Sequence, residues 1–268
     1  MNLAGLPMYD LPELRWATDG WWQALRRGFA AEGIGDIPAA LDRELTAHGQ
    51  WRRLDLMFGQ SCGYPLTHEF ASLLQPVATP CYAAAGCEGA RYRSWILVRD
   101  GSDVAGLDQL AGAKVAINDR ASQSGCNSLR FLAAPLAKAG RFFGSVTETG
   151  SHLASIEAVR TGAADLAAID CVTYGLLARH RPAGLFGTRI IAAGPVAPAL
   201  PYVAPAAMDG ATLEKLRRGL RRALEDAAAA EARAALLIAD CAILPRDAYG
   251  VILEQERAAA RAGYAELA

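Results

Sequence analysis

One stretch of the sequence combines small hydroxyl side chains with a glycine, the residue types that can hold an anion: Ser122, Gln123, Ser124 and Gly125. The apolar run 114–117 before it predicts a strand, and the run 128–136 after it predicts a helix. The first N–H groups of a helix have no partner within the helix, and the helix dipole adds partial positive charge there. Hydroxyl groups add donors, and a glycine lets the main chain approach a ligand closely. The stretch therefore predicts a site for a small, oxygen-rich ligand.

These residues need a scaffold, and the rest of the sequence supplies one as alternating apolar runs and helix-like runs. The runs that predict strands are 3–8, 39–45, 54–58, 73–78, 92–98, 114–117, 165–169, 189–193 and 202–204. The runs that predict helices are 14–32, 128–136, 151–160, 174–180, 213–230, 231–238 and 246–268. Such alternation favours the α/β class, with parallel sheets and crossover helices.

Polar residues recur where the predicted strands end, which is where open α/β sheets bind their ligands. They are Tyr9, Gln60, Ser61, Ser122–Ser124 and Asp170. Four strand ends that agree are better evidence for a ligand site than any one motif.

The composition excludes several classes of protein. The chain has 268 residues, of which 52% are hydrophobic and 21% are charged, so it can bury a large core and is not disordered. A net charge of −1 gives no reason to expect a nucleic-acid partner or binding to an anionic membrane. No uncharged apolar run approaches about 18 residues, so we expect no membrane insertion. An anion site must therefore be built locally from dipoles and hydroxyl groups.

The six cysteines are scattered and form no Cys-x-x-Cys pair, so we expect neither a zinc site nor a thioredoxin-type motif. The sequence implies no metal and no organic cofactor. In a chain of this length the cysteines are typical of small buried residues in a reducing compartment, although Cys81 and Cys87 stay open as a disulfide pair if the protein is secreted. Residues 1–7 lack the basic and apolar regions of a signal peptide. The sequence as it stands therefore predicts a cytoplasmic protein, or a periplasmic one if a leader has been removed.

Four motifs give the chain a likeness to a known family. They are Tyr92-Arg93-Ser94, the stretch 122–125, the stretch 150–155 and the stretch 164–170. Together they resemble the substrate-binding proteins of phosphonate and phosphate-type ABC transporters, which have the type II periplasmic binding protein fold. The resemblance implies two lobes, each a mostly parallel sheet flanked by helices, with a two-strand hinge. Lobe one would be residues 1–93 and 207–268, and lobe two would be residues 94–206.

The resemblance also implies roles for individual residues. The stretch 122–125 corresponds to a Ser-Thr-Ser-Gly sequence that holds phosphonyl oxygens in the family, with Gln123 in place of the threonine. Ser151 and His152 correspond to a Ser-His pair whose histidine donates to the same oxygens. Tyr92 corresponds to an aromatic residue that covers the ligand at the hinge.

The remaining candidates follow from the same resemblance. Tyr9, Gln60 and Ser61 would close on the ligand from lobe one, and Asp170 would recognise a substituent such as an amine. The implied function is reversible binding of a small oxyanion, such as a phosphonate or phosphate, between the lobes, with an ABC transporter permease as a candidate partner.

Two other functions stay open at this point: a cytoplasmic enzyme and a ligand sensor, each built on the same fold. Ser122, His152 and Asp170 are the residue types of a hydrolase triad, but no Gly-x-Ser-x-Gly sequence surrounds a serine. We therefore expect a binding protein without catalytic residues.

Overall fold

The computed structural model describes residues 2–268, which form two compact units. The first unit comprises the residues up to 83 together with 88–90 and 198–248. The second unit comprises residues 84–87, 91–197 and 249–268. Within residues 2–268, every helix is too short or too polar to span a lipid bilayer.

Strands and helices alternate along most of the chain. The strands are β1 Leu3–Gly5, β2 Leu56–Gln60, β3 Leu74–Tyr82, β4 Arg91–Tyr92, β5 Ser94–Arg99, β6 Lys114–Ile117, β7 Ser145–Glu148, β8 Leu166–Asp170, β9 Thr188–Ala193, β10 Ala197–Pro198, β11 Tyr202–Pro205 and β12 Ile238–Ala242. The α-helices are α1 Arg15–Ala31, α2 Ala47–Trp51, α3 Gly63–Thr67, α4 Ser128–Ala133, α5 His152–Thr161, α6 Cys171–His180, α7 Gly210–Glu225, α8 Ala230–Ala235 and α9 Gly250–Arg261. A π-helical turn, Gln123–Asn127, leads directly into α4.

The first unit has a five-stranded sheet in the order β1-β2-β11-β3-β12. β1 and β2 are parallel, whereas β11 is antiparallel to β2 and β3, and β12 is antiparallel to β3. The second unit has a five-stranded sheet in the order β7-β6-β8-β5-β9. Here β6 is parallel to β7 and β8, and β5 is antiparallel to β8 and β9.

Both sheets are therefore mixed, which corrects the expectation of mostly parallel sheets. The reason lies in the register: Ser94 at the start of β5 pairs with Asp170 at the end of β8. Tyr202 at the start of β11 pairs in the same way with Gln60 at the end of β2. β5 and β11 thus begin where their neighbours end, a direction that the β–α alternation does not reveal.

Aromatic side chains form the core of the first unit. Trp22 and Phe29 on α1 pack on Phe58 of β2, with ring centroids 6.2 Å and 5.1 Å from it. Trp22 and Phe29 lie on one face of α1 because of their helical spacing, and both side chains are fully buried. Trp16 lies outside this face and is 51% exposed. The helix predicted over residues 14–32 thus packs its apolar face against the sheet of the first unit.

The last helix belongs to the second unit, which differs from the lobe boundaries expected from the sequence. Ala259, Tyr264 and Leu267 are part of the apolar core of that unit. On α9, Glu256 also forms an ion pair with Arg130, at 2.9 Å. The sequence of an amphipathic helix indicates which of its faces is buried, but it does not indicate which sheet covers that face. The sequence pattern therefore could not assign α9 to one lobe or the other.

Two expected elements are replaced by others. Residues 39–45 contain no strand; Arg43 there forms ion pairs with Asp10 and Asp19 instead. The helix expected over 231–238 ends at Ala235, and β12 follows it and pairs with β3. Leu237 has φ 58°, a left-handed conformation that cannot continue a helix.

Candidate functional site

The candidate site of the second unit lies at one edge of its sheet. β6 runs parallel to its two neighbours, so the carboxyl ends of β6, β7 and β8 all meet at this edge. The π-helical turn follows β6, His152 follows β7, and Asp170 ends β8. Ser94 lies at the same edge because it pairs with Asp170. Residues far apart in the sequence are thus brought together by the parallel part of the sheet.

The turn after β6 leaves two main-chain donors without acceptors. Ser122 caps it: the Ser122 Oγ accepts from the Gly125 N–H at 3.0 Å. The Ser122 carbonyl accepts from the N–H groups of Cys126 and Asn127 at 3.3 Å and 3.0 Å. Within the part of the chain that the structure describes, no group accepts a hydrogen bond from the N–H of Gln123 or Ser124. These two N–H groups carry the partial positive charge of a helix start.

Hydroxyl groups and an imidazole surround these donors. The Ser124 Oγ lies 2.9 Å from His152 Nε2 and 3.5 Å from the Ser122 Oγ. The Ser94 hydroxyl donates to the Ser124 carbonyl at 2.8 Å, which fixes the main chain of the turn. Neutral donors arranged in this way can hydrogen-bond the oxygens of an anion.

His152 is uncharged near neutral pH. It begins α5 and is partly buried, and burial lowers the pKa of its imidazole to about 4. An interaction with the main chain of Ala168 raises this pKa again and offsets only part of the shift. A neutral imidazole avoids placing a positive charge at a helix N-terminus, and it can still donate one hydrogen bond.

This pKa gives a testable dependence of stability on pH. The unfolded chain binds a proton at His152 near pH 6.5, whereas the folded chain does so only near pH 4, so folding loses stability as the pH falls between these values. We expect the His152→Gln variant to lack this loss, which is on the order of 1–2 kcal/mol for a partly exposed ring. Urea unfolding of both proteins from about pH 7.5 to about pH 4.5 measures it. Parallel stability curves for the two proteins would refute the assignment.

The structure gives Gln123 a different role from the one implied by the resemblance. Its amide nitrogen donates to Gln255 Oε1 at 2.7 Å, and its amide oxygen accepts from Asn127 Nδ2 at 2.7 Å. The side chain is 1% exposed, and a buried amide must pair its polar atoms in this way. Gln123 therefore offers its main-chain N–H to a ligand, while its side chain ties the turn to α9.

Gly125 is required by close packing within the turn. A Cβ atom added there would lie 1.7 Å from Asn118 Oδ1. The absence of a side chain at Gly125 thus lets the main chain of the turn lie close to Asn118.

Ser151 and Asp170 both act as helix N-caps. The exposed Ser151 accepts from the Ala154 N–H at 3.1 Å. The buried Asp170 accepts through Oδ1 from the N–H groups of Val172 and Thr173, at 2.7 Å and 3.0 Å. Capping accounts for both residue types at these positions, so neither needs a ligand to explain it.

In the first unit, Tyr9 and Gln60 line a small, mostly aromatic pocket of about 20 Å³. Tyr82 and Tyr202 are also in its wall, and the Gln60 amide donates to the Tyr82 hydroxyl at 2.9 Å. Ser61 is fully buried and donates to the Cys62 carbonyl at 3.0 Å. Of the three residues predicted to contact the ligand from the first lobe, Tyr9 and Gln60 therefore line a pocket, whereas Ser61 lies in the core.

Tyr92, the aromatic residue expected to cover the ligand, is 2% exposed and lies in β4.

In residues 2–268 no three His, Cys, Asp or Glu side chains are grouped so that they can hold a metal ion.

Sequence reasoning missed three residues that shape the turn: Ser94, Asn118 and Gln255. Ser94 is part of the Tyr92-Arg93-Ser94 motif and was available as a signal. Asn118 follows β6 directly and was available too. Gln255 lies 132 residues from Gln123, and no local pattern predicts their contact.

The sequence matches a family model over residues 44–244, and the model is described as the periplasmic substrate-binding protein of a phosphonate ABC transporter. No curated protein matches the sequence.

Solved structures resemble almost the whole chain. PhnD1 of Prochlorococcus marinus in complex with methylphosphonate has a TM-score of 0.74 and 14% identity, covering 96% of this chain and 97% of its own. A protein of Xanthomonas citri bound to ATP has a TM-score of 0.72 and 17% identity, covering 97% and 98%. A binding protein of a Pseudomonas aeruginosa phosphonate transporter has a TM-score of 0.71 and 16% identity, covering 98% and 87%. At these identities the similarity shows the fold, and the predicted two-lobed α/β fold class is confirmed.

Proposed function

The chain belongs to the family of periplasmic substrate-binding proteins of phosphonate ABC transporters, and we propose that the turn Ser122–Gly125 of its second unit binds the oxygens of the ligand. Members of this family are binding components of transporters, so the chain is a binding protein for small anions and not an enzyme. The enzyme alternative raised by the sequence is thereby corrected. Membership of this family also favours a periplasmic location over the cytoplasmic one expected from the sequence. It favours a transporter permease as the partner.

One observation supports the proposed site above all. The N–H groups of Gln123 and Ser124 lack acceptors in the described residues, beside the Ser124–His152 hydrogen bond of 2.9 Å. The two main-chain donors lie in the same turn as the Ser122 and Ser124 hydroxyl groups, and His152 Nε2 lies 2.9 Å from the Ser124 Oγ. Such donors suit a tetrahedral oxyanion, which presents several oxygens at once.

The proposed ligand class is a phosphonate or a related compound with oxygens bound to phosphorus. Two of the similar structures carry ligands of this chemistry, methylphosphonate and ATP. His152 supports the same class because a bound anion stabilises its protonated form and offsets the burial that lowers its pKa. Binding of an anion at this position thus favours uptake of a proton.

The remaining candidates are proposed either as ligand contacts or as residues that hold the fold of the site. Tyr9 and Gln60, which line a small aromatic pocket in the first unit, are retained as ligand contacts on the resemblance alone. Tyr92 is retained on the resemblance alone. Ser61, Ser151 and Asp170 are proposed to act through the fold, since each hydroxyl or carboxylate already holds a main-chain group.

Titration calorimetry tests this function, with methylphosphonate and inorganic phosphate as probes. We expect Ser124→Ala to raise the dissociation constant roughly 10–100-fold, the value of one hydrogen bond to a charged group. The matched control is Ser145→Ala, which removes an exposed hydroxyl from β7 of the same unit and should leave binding unchanged. Equal affinity of Ser124→Ala and the wild-type protein would overturn the proposed site.

A further inference from the structure

Two cysteine side chains meet in the second unit. Cys87 ends the short segment 84–87, and Cys171 is the first residue of α6. Their sulfur atoms are 3.5 Å apart, although the residues are 84 positions apart in the sequence. Cys171 is fully buried and Cys87 is partly exposed. The sequence left Cys81 and Cys87 open as a disulfide pair, but the structure places Cys87 beside Cys171 instead.

Both cysteines are held in place by their surroundings. The Cys171 N–H donates to the Arg93 carbonyl at 3.0 Å, which extends the β5–β8 ladder by one bond. The segment 84–87 is a tight turn in which the Cys87 N–H donates to the Ala84 carbonyl at 3.0 Å.

Gly86 lets this turn rest directly on its neighbours. It has φ 93°, and a Cβ atom added there would lie 2.6 Å from the Trp95 ring and 3.1 Å from the Cys171 Cβ. Only glycine fits this position, and its absence of a side chain brings Cys87 into contact with Cys171.

We propose that Cys87 and Cys171 form a disulfide bond in the native protein. A disulfide needs the sulfur atoms at about 2.05 Å, so the two thiols must approach by about 1.5 Å, which is within the reach of side-chain rotation. The periplasm, the compartment of this family, is oxidising and maintains such bonds. The bond does not depend on any ligand.

The chemistry is a thiol–disulfide exchange with a small-molecule disulfide as oxidant. The Cys87 thiolate attacks one sulfur of the oxidant, forms a mixed disulfide and releases one thiol. Cys171 then loses its proton and attacks the Cys87 sulfur, which forms the protein disulfide and releases the second thiol. Two protein thiols are oxidised by two electrons in total, and the oxidant is reduced to two thiols.

The order of the two steps follows from exposure. Cys87 is the accessible thiol, whereas the hydrogen bond between Cys171 and Cys87, together with burial, raises the pKa of the Cys171 thiol. The second step is therefore the slower one and is accelerated by alkaline pH. Cys126 cannot compete, because burial raises the pKa of its thiol to about 11.

The test uses the full chain, first reduced and then incubated with oxidised glutathione at about pH 8. We expect the intact mass to fall by two hydrogens and one cross-linked peptide pair to contain Cys87 and Cys171. Because the bond closes a long loop of the unfolded chain, we expect the melting temperature to rise by roughly 5–10 °C, and a reductant should reverse the rise.

Matched variants make the result specific. Cys87→Ser should lose both the cross-link and the rise in melting temperature, whereas Cys62→Ser should keep both. A different cysteine pairing, a stable glutathione adduct on Cys87 or six free thiols after the treatment would each overturn the proposal. Peptide mapping of the wild-type protein gives this answer even if a variant folds poorly.

Discussion

Ser124→Asp is expected to abolish oxyanion binding, with a loss of affinity of at least about 1,000-fold. The new carboxylate would lie where the anion is proposed to bind, and two like charges about 4 Å apart cost about 4 kcal/mol near a protein surface. The same carboxylate can accept from the free N–H groups at the start of the turn and from His152 Nε2, 2.9 Å from the present hydroxyl. We therefore expect the variant to stay folded and to be as stable as the wild-type protein.

Ser124→Asn is the matched control, because asparagine has the shape of aspartate without its charge. Calorimetry should show a much smaller loss of affinity for Ser124→Asn than for Ser124→Asp, and thermal unfolding should show both to be folded. If the two variants bind methylphosphonate with equal affinity, charge at this position does not matter and the anion binds elsewhere.

Gly28→Ala is expected to destabilise the protein by roughly 2–4 kcal/mol. Gly28 of α1 and Gly219 of α7 touch at the point where these helices cross in the first unit: a Cβ atom on Gly28 would lie 2.1 Å from the Gly219 carbonyl oxygen. That atom belongs to the main chain and cannot rotate away, so a whole helix must move. Alanine gains about 1 kcal/mol in helix propensity, which the displacement of α7 outweighs.

Gly210→Ala provides the control for helix propensity. Gly210 is the exposed first residue of α7, and a Cβ atom there meets no atom within 4 Å. Urea unfolding should show this variant to be as stable as the wild-type protein or slightly more stable. If Gly28→Ala behaves like Gly210→Ala, the two helices do not pack as closely as the structure shows.

The fold was predictable where a local pattern has one physical solution. The run 151–160 predicts a helix, and α5 forms there because Ser151 caps its start and Gly162, at φ 78°, ends it. β12 was not predictable, because the alanine-rich sequence before it has high helix propensity and the strand depends on pairing with β3. β7 is a short, polar edge strand, so no apolar alternation marks it.

The position of the turn could be predicted from the sequence, but the contacts of its side chains could not. Small residues after a buried strand identified the helix start, and the structure places His152 beside Ser124. The π-helical geometry and the use of Gln123 as a tie to Gln255 depend on α9, which is distant in the sequence. The capping role of Asp170 depends on where α6 begins, and local sequence places helix ends poorly.

Two-dimensional NMR of the main-chain amides during titration with methylphosphonate tests the central claim most directly. If the turn binds the anion, the amide protons of Gln123 and Ser124 should gain strong hydrogen bonds and show the largest downfield shifts, and His152 should take up a proton at higher pH than in the free protein. Saturable binding that leaves the Gln123 and Ser124 amides unshifted would contradict the account.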